Sequence, residues 1–180
     1  MLHDRRAFTL IELLVTISIT ALLASYMILY GSASRQQITL SIEAAKLAQV
    51  VSRAKSLSTS GFSQVSPPCG YGVEVDYVAQ KYFLLTYQIL PDCKSVYSGG
   101  AITLGASTVL QNYSLASQVQ LANSAGDALT DVIFVPPDPR VVTNISGALS
   151  TSTSGAFYLK TADGTVTKTV KVNAGGQISF

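Results

Sequence analysis

From Leu13 to Ser34 the chain runs for 22 residues without a charge, and a single carboxylate, Glu12, stands at the head of that run. At ~1.5 Å of rise per residue a helix of this length covers ~33 Å, enough to cross a hydrocarbon core of about 30 Å. Arg5 and Arg6 precede it, offset only by Asp4, so the positive-inside rule holds the leader on the cytoplasmic side and turns everything after about Arg35 outward. Glu12 does not suit an ordinary anchor. An ionisable side chain at the centre of a lipid-embedded helix costs roughly 2.5 to 3.5 kcal/mol on insertion scales, so it is a functional residue that needs a partner. The natural partner is a positive amine made by cutting the chain.

Arg5-Arg6-Ala7-Phe8-Thr9-Leu10-Ile11-Glu12 and the apolar helix after it closely resemble the prepilin signature of type IV pilins and type II secretion pseudopilins. The resemblance implies that a dedicated membrane enzyme, prepilin peptidase, cuts between Ala7 and Phe8 and methylates the new Phe8 amine. Glu12 is then the assembly carboxylate, meeting the N-terminal amine of a neighbouring subunit. It further implies a single-pass protein of the bacterial inner membrane, with its head in the periplasm or outside the cell. The partners implied are prepilin peptidase, other pilin or pseudopilin subunits, the inner-membrane assembly platform and, before assembly, membrane lipid. The family usually has Gly before the cut, and Ala7 is the nearest small substitute.

Three other readings of the N-terminus compete. A secretory signal with a cut near Gly31-Ser32-Ala33 would have a shorter apolar stretch. A twin-arginine signal fits Arg5-Arg6 followed by Phe8 but leaves Glu12 without a purpose. A plain anchor would let Glu12 snorkel to the interface.

Beyond the membrane the helix is expected to continue. Leu40, Ala44, Leu47, Val51 and Ala54 recur at spacings of four and three, an apolar stripe that wants a sheet to cover. Arg35, Gln36, Lys46, Gln49, Arg53 and Lys55 lie mostly away from it, and Glu43 and Lys46 make an i,i+3 pair. Phe8 to Tyr30 holds neither Gly nor Pro, so the helix should be continuous to about Ser58, with Gly61 near its C-terminal cap. From residue 70 the period becomes two. Strands are expected at Tyr71 to Tyr77, Tyr82 to Ile89, Ala101 to Leu104, Thr108 to Leu115, Val119 to Ala122, Val132 to Val135, Ala156 to Leu159, Val166 to Val172 and Gln177 to Phe180. Val78 to Lys81 reads as a hairpin loop, Asp163-Gly164 as a turn, and Ser150 to Gly155 as an exposed polar loop.

The fold class is therefore α+β: a long N-terminal helix packed on antiparallel sheets, two of them small, as in the pilin fold. The organisation reads as a leader over 1–7, a membrane or filament-core helix over 8–34, an amphipathic continuation over 35–60 and a β-rich head over 61–180. With 12 basic and 10 acidic residues the net charge is +2, too balanced for a nucleic-acid footprint.

Cys69 and Cys93 flank the first hairpin, and two cysteines in an extracytoplasmic compartment argue for one disulfide; the alternative is a pair of free buried thiols. They have no His or third Cys with which to hold a metal. His3 is the one histidine and lies in the leader, so a processed chain has no His base and no catalytic residue is assigned. Glu74 and Asp76 alternate onto one strand face, where solvated charge is the simpler reading. No Gly-rich phosphate loop is present, and no cofactor is expected.

Tyr71-Gly72-Val73-Glu74-Val75, Val132 to Pro137 and the closing Val170 to Ile178 look like the minor pseudopilins of the H type and related minor pilins. That resemblance implies a minor structural subunit rather than an enzyme. Some minor pilins hold DNA through basic C-terminal residues; here Gln177 stands where such an Arg would be. Lys160, Lys168 and Lys171 have no interleaved aromatics, which argues against a nucleic-acid grip. The competing classes are a membrane-tethered extracytoplasmic binding module, a DNA-uptake minor pilin, and an enzyme or adhesin released near Ser34.

Overall fold

The structure, a computed structural model, describes residues 9–60, 68–99, 101–123 and 126–180, and the side chains of these except at positions 28–33. The first element, α1, is one uninterrupted helix over Leu10–Ser60, 51 residues. At 1.5 Å per residue it is about 76 Å long. Its two ends live in different surroundings. Leu10, Ile11, Leu22 and Met27 are each more than 70% exposed, whereas Leu40, Ala44, Leu47, Val51 and Ala54 are all buried. The periodic stripe read from the sequence is thus the packed face, widened by Ala48 and Val50.

Among the described residues ten strands follow, all paired antiparallel. Strands β1 (Gly70–Asp76), β2 (Lys81–Leu90), β3 (Thr103–Ser114), β5 (Leu129–Val135), β6 (Arg140–Ile145) and β7 (Ala148–Ser150) form a six-stranded sheet in the order β3-β2-β1-β5-β6-β7. Strands β4 (Val119–Ala122), β8 (Gly155–Thr161), β9 (Thr167–Val172) and β10 (Ile178–Ser179) form a four-stranded sheet in the order β10-β9-β8-β4. Both sheets turn their apolar faces to α1. Tyr71, Val73, Tyr82, Leu84, Val132 and Phe134 from the larger sheet share one core with Leu121, Phe157, Leu159, Val170 and Val172 from the smaller. An α+β architecture with the helix laid on antiparallel sheets, consistent with a pilin fold, follows from that shared burial.

The larger sheet is covered on its other face as well. Leu85, Tyr87, Ile89, Ile133, Val135 and Val142 form a second cluster there. A strap carrying the short helix α2 (Ser95–Ser98) lies over it, pinned by the disulfide between Cys69 and Cys93, 24 residues apart. Val96 of the strap is buried against this cluster, and the Tyr97 hydroxyl donates to the carbonyls of Val135 and Asp138, each at 2.9 Å.

Several details differ from the sequence expectation. Ala101 to Leu104 and Thr108 to Leu115 are not two strands but parts of the single β3, bent through two irregularities in its pairing with β2. Strands β6 and β7 and the α2 turn were not expected. The Ser150 to Gly155 segment is an exposed polar loop at Ser152, Thr153 and Ser154, as expected, tied down where Thr143 Oγ1 donates to the carbonyls of Ser150 and Thr153 and closed by the buried Gly155 at the start of β8.

Candidate functional site

The apolar half of α1 has to satisfy its own polar groups if it is to sit in lipid, where water does not solvate them. It does so locally. The hydroxyls of Thr16, Ser18, Thr20 and Ser25 donate to backbone carbonyls three or four residues earlier, at 2.8 to 2.9 Å. Leu10–Met27 is long and apolar enough to cross a membrane, and none of it is buried inside the protein. That leaves Glu12 as the one side chain of the segment that is charged at neutral pH.

Glu12 sits in the first turn of α1. Thr9 precedes the helix, and its backbone carbonyl and Oγ1 accept from the Glu12 N–H at 3.1 and 3.3 Å. Thr9 therefore caps α1, and Thr9-Leu10-Ile11-Glu12 has the spacing of a capping box. A carboxylate in this turn also faces the positive end of the helix dipole. The flanking Leu10, Ile11, Leu13 and Leu14 are all more than half exposed, so Glu12 lies on a bare apolar surface. Among the described residues no side chain supplies its carboxylate with a counter-charge. The Thr9 cap was readable in the sequence as Thr-x-x-Glu ahead of an apolar run.

Ala7 and Phe8, the residues of the expected cut, lie outside the described residues. Residues 2–28 match the family model described as Prokaryotic N-terminal methylation motif. The chain carries the signal of type IV pilins and pseudopilins. This methylation motif supports processing by prepilin peptidase and assembly with pilin subunits. With the bare apolar helix it points to anchoring in a membrane by one N-terminal segment. No curated protein and no solved structure matches the chain.

Glu74 and Asp76, read from the sequence as solvated charge on one strand face, are both half-buried on an inner strand of the larger sheet. Asp76 is spent locally, its Oδ1 accepting from the N–H groups of Val78 and Ala79 in the hairpin turn. Glu74 instead stands directly opposite Asp131 of β5. Asp131 is buried and accepts from the Tyr87 hydroxyl and the Asn144 amide, both at 2.7 Å. Gly72 makes room for this contact, since a Cβ there would come within 3.0 Å of the Tyr87 ring and closer still to the backbone of Val132. Burial pushes the Asp131 carboxyl up, against the pull of those two hydrogen bonds. Burial, followed by the charges of Asp131 and Asp76, raises Glu74 too.

Proposed function

We propose that the chain is a minor subunit of a type IV pilus-like filament or type II secretion pseudopilus, of the H-type class. It is held before assembly in the bacterial inner membrane with its head in the periplasm or outside the cell. Prepilin peptidase cuts between Ala7 and Phe8 and methylates the Phe8 amine, and the assembly platform then draws the subunit from lipid into the filament. The observation that supports this reading is Glu12, an acid in the first turn of a bare apolar helix with no counter-charge among the described side chains.

A carboxylate in that position is costly in lipid and is relieved by a positive group of matching geometry. The trimmed N-terminus of a neighbouring subunit is such a group, and pairing it with Glu12 sets the axial register of stacked helices. Thr9 and the helix dipole keep the acid at the end of the rod, where a neighbour's terminus can reach it.

N-terminal sequencing and mass measurement of the protein from native membranes test the processing step. N-methyl-Phe8 is expected; a chain starting at Met1 or at Ser34 removes the reading. Glu12→Ala is expected to leave membrane insertion and head folding intact and to abolish recovery in sheared filaments or pseudopili. Normal incorporation of that variant would remove the role given to Glu12.

A further inference from the structure

We propose that the groove between the second half of α1 and the outer edge of β3 takes up an extended acidic segment of another polypeptide, which adds to the larger sheet as a further strand. This inference stands apart from the processing of Phe8 and from Glu12.

Sheet edges present unpaired N–H and C=O groups, and proteins blunt them by keeping edge strands short or placing charge or Pro on them. Three of the four edges here are short: β7 has 3 residues, β10 has 2 and β4 has 4. The fourth, β3, has 12 residues, Thr103–Ser114, with no charge and no Pro. Among the described residues its neighbour in the sheet is β2 alone, and Val109 and Leu110 in its middle are 54% and 50% exposed. It is a long, uncharged strand with one side open, the template that an extended chain recognises through backbone hydrogen bonds.

The chemistry beside that edge says which chain. A groove of about 720 Å³ runs between α1 and β3, with Lys46, Gln49 and Arg53 on the helix side and Tyr82, Gln111 and Tyr113 on the sheet side. Tyr82 and Tyr113 stack with ring centres 5.0 Å apart and form an aromatic wall. Gln111 and Tyr113 pair with Leu84 and Tyr82, which belong to the helix-side core, so the inward side chains of an added strand would point into this groove. Among the described residues no acidic side chain lines it. Lys46 is matched by the buried Glu43 at 2.8 Å, but among the described residues Arg53 has only the neutral Gln111 Oε1, at 2.9 Å. The groove is left with an excess positive charge, and carboxylates on the inward face of an incoming strand complement it.

The test uses the full chain in non-ionic detergent and a fluorescent peptide of about ten residues alternating Thr and Glu, long enough to match an edge strand. Saturable binding is expected, together with slowed hydrogen exchange of β3 amides and not of β7 amides. The same peptide with Lys for Glu should bind about tenfold more weakly or worse, and the double variant Lys46→Glu with Arg53→Glu should reverse that preference. Equal binding of the two peptides, a preference that the double variant leaves unreversed, or binding without protection of β3 would overturn the proposal. So would displacement of the peptide by anionic lipid vesicles or an oligonucleotide, which would make the groove a general anion surface.

Discussion

Lys55 Nζ donates a 2.9 Å hydrogen bond to the carbonyl oxygen of Gly176, tying the helix to the β9–β10 turn across 121 residues of sequence. The turn is built for it. Gly176 has φ of 70°, and Asn173 and Gln177 bond reciprocally through their side chains and backbones. Any Cβ at Gly176 would adopt a left-handed conformation and meet Val141 Cγ2 at 3.0 Å. Lys55→Met keeps the alkyl stem and loses the bond, and should cost about 1 to 3 kcal/mol. Gly176→Ala should cost about 1 kcal/mol or more. Urea unfolding followed by circular dichroism reads both.

The cross-strand acids Glu74 and Asp131 make a pH prediction. Both carboxyls are raised in the folded chain, so the native state holds protons that the unfolded state has released. Their contribution is fully present below the ordinary carboxylate values and is lost as pH rises through the raised ones. The urea midpoint should therefore fall as pH is taken from about 4 towards 7. Glu74→Gln, which removes one acid and keeps the shape, should flatten that fall and raise the midpoint at neutral pH. An unchanged profile in Glu74→Gln would show that the pair does not couple to folding.

The disulfide closes a loop whose ends are 24 residues apart and holds the strap over the second cluster. Cys69→Ala combined with Cys93→Ala should destabilise the head by about 3 kcal/mol in the chain-entropy account. Hydrogen exchange should quicken first around Val96 and Tyr97, because the strap loses its pin, while the core beneath α1 keeps its protection.

On α1 the two apolar faces should answer differently to truncation. Leu47 is fully buried, and Leu47→Ala should cost about 2 to 5 kcal/mol. Ile38 and Ile42 are 57% and 49% exposed, and their change to Ala should stay within about 0.5 kcal/mol in the isolated chain. Thermal unfolding of the three variants side by side makes the comparison.

How much of this was legible in the sequence depended on the reach of each interaction. The helix and its buried stripe were readable because period and partner sit within one element, and Glu43 with Lys46 likewise. Strand β4, Val119–Ala122, was placed by its turn-bounded run. Strands β6 and β7 were missed because Val141, Val142 and Thr143 follow three prolines, Pro136, Pro137 and Pro139, and give too short a run to show alternation. β3 looked like two strands because Gly105 to Ser107 breaks the apolar pattern of an edge that buries little on either face. The partner of Glu74 was hidden for a different reason: cross-strand register over 57 residues is not written in local spacing. Of the site itself, Glu12 stood out by its charge, whereas the cationic groove arises only when Arg53 and Gln111 are folded together.

Because α1 is one rod from Leu10 to Ser60, no joint separates the part that is bare from the part the head is folded around. A pull on its lipid end arrives undamped at Leu40 and Leu47, and the head must resist it by packing alone. Severing the rod anywhere beyond Leu40 would remove the central beam of the head, so a shortened, water-soluble version has to keep that residue and everything after it.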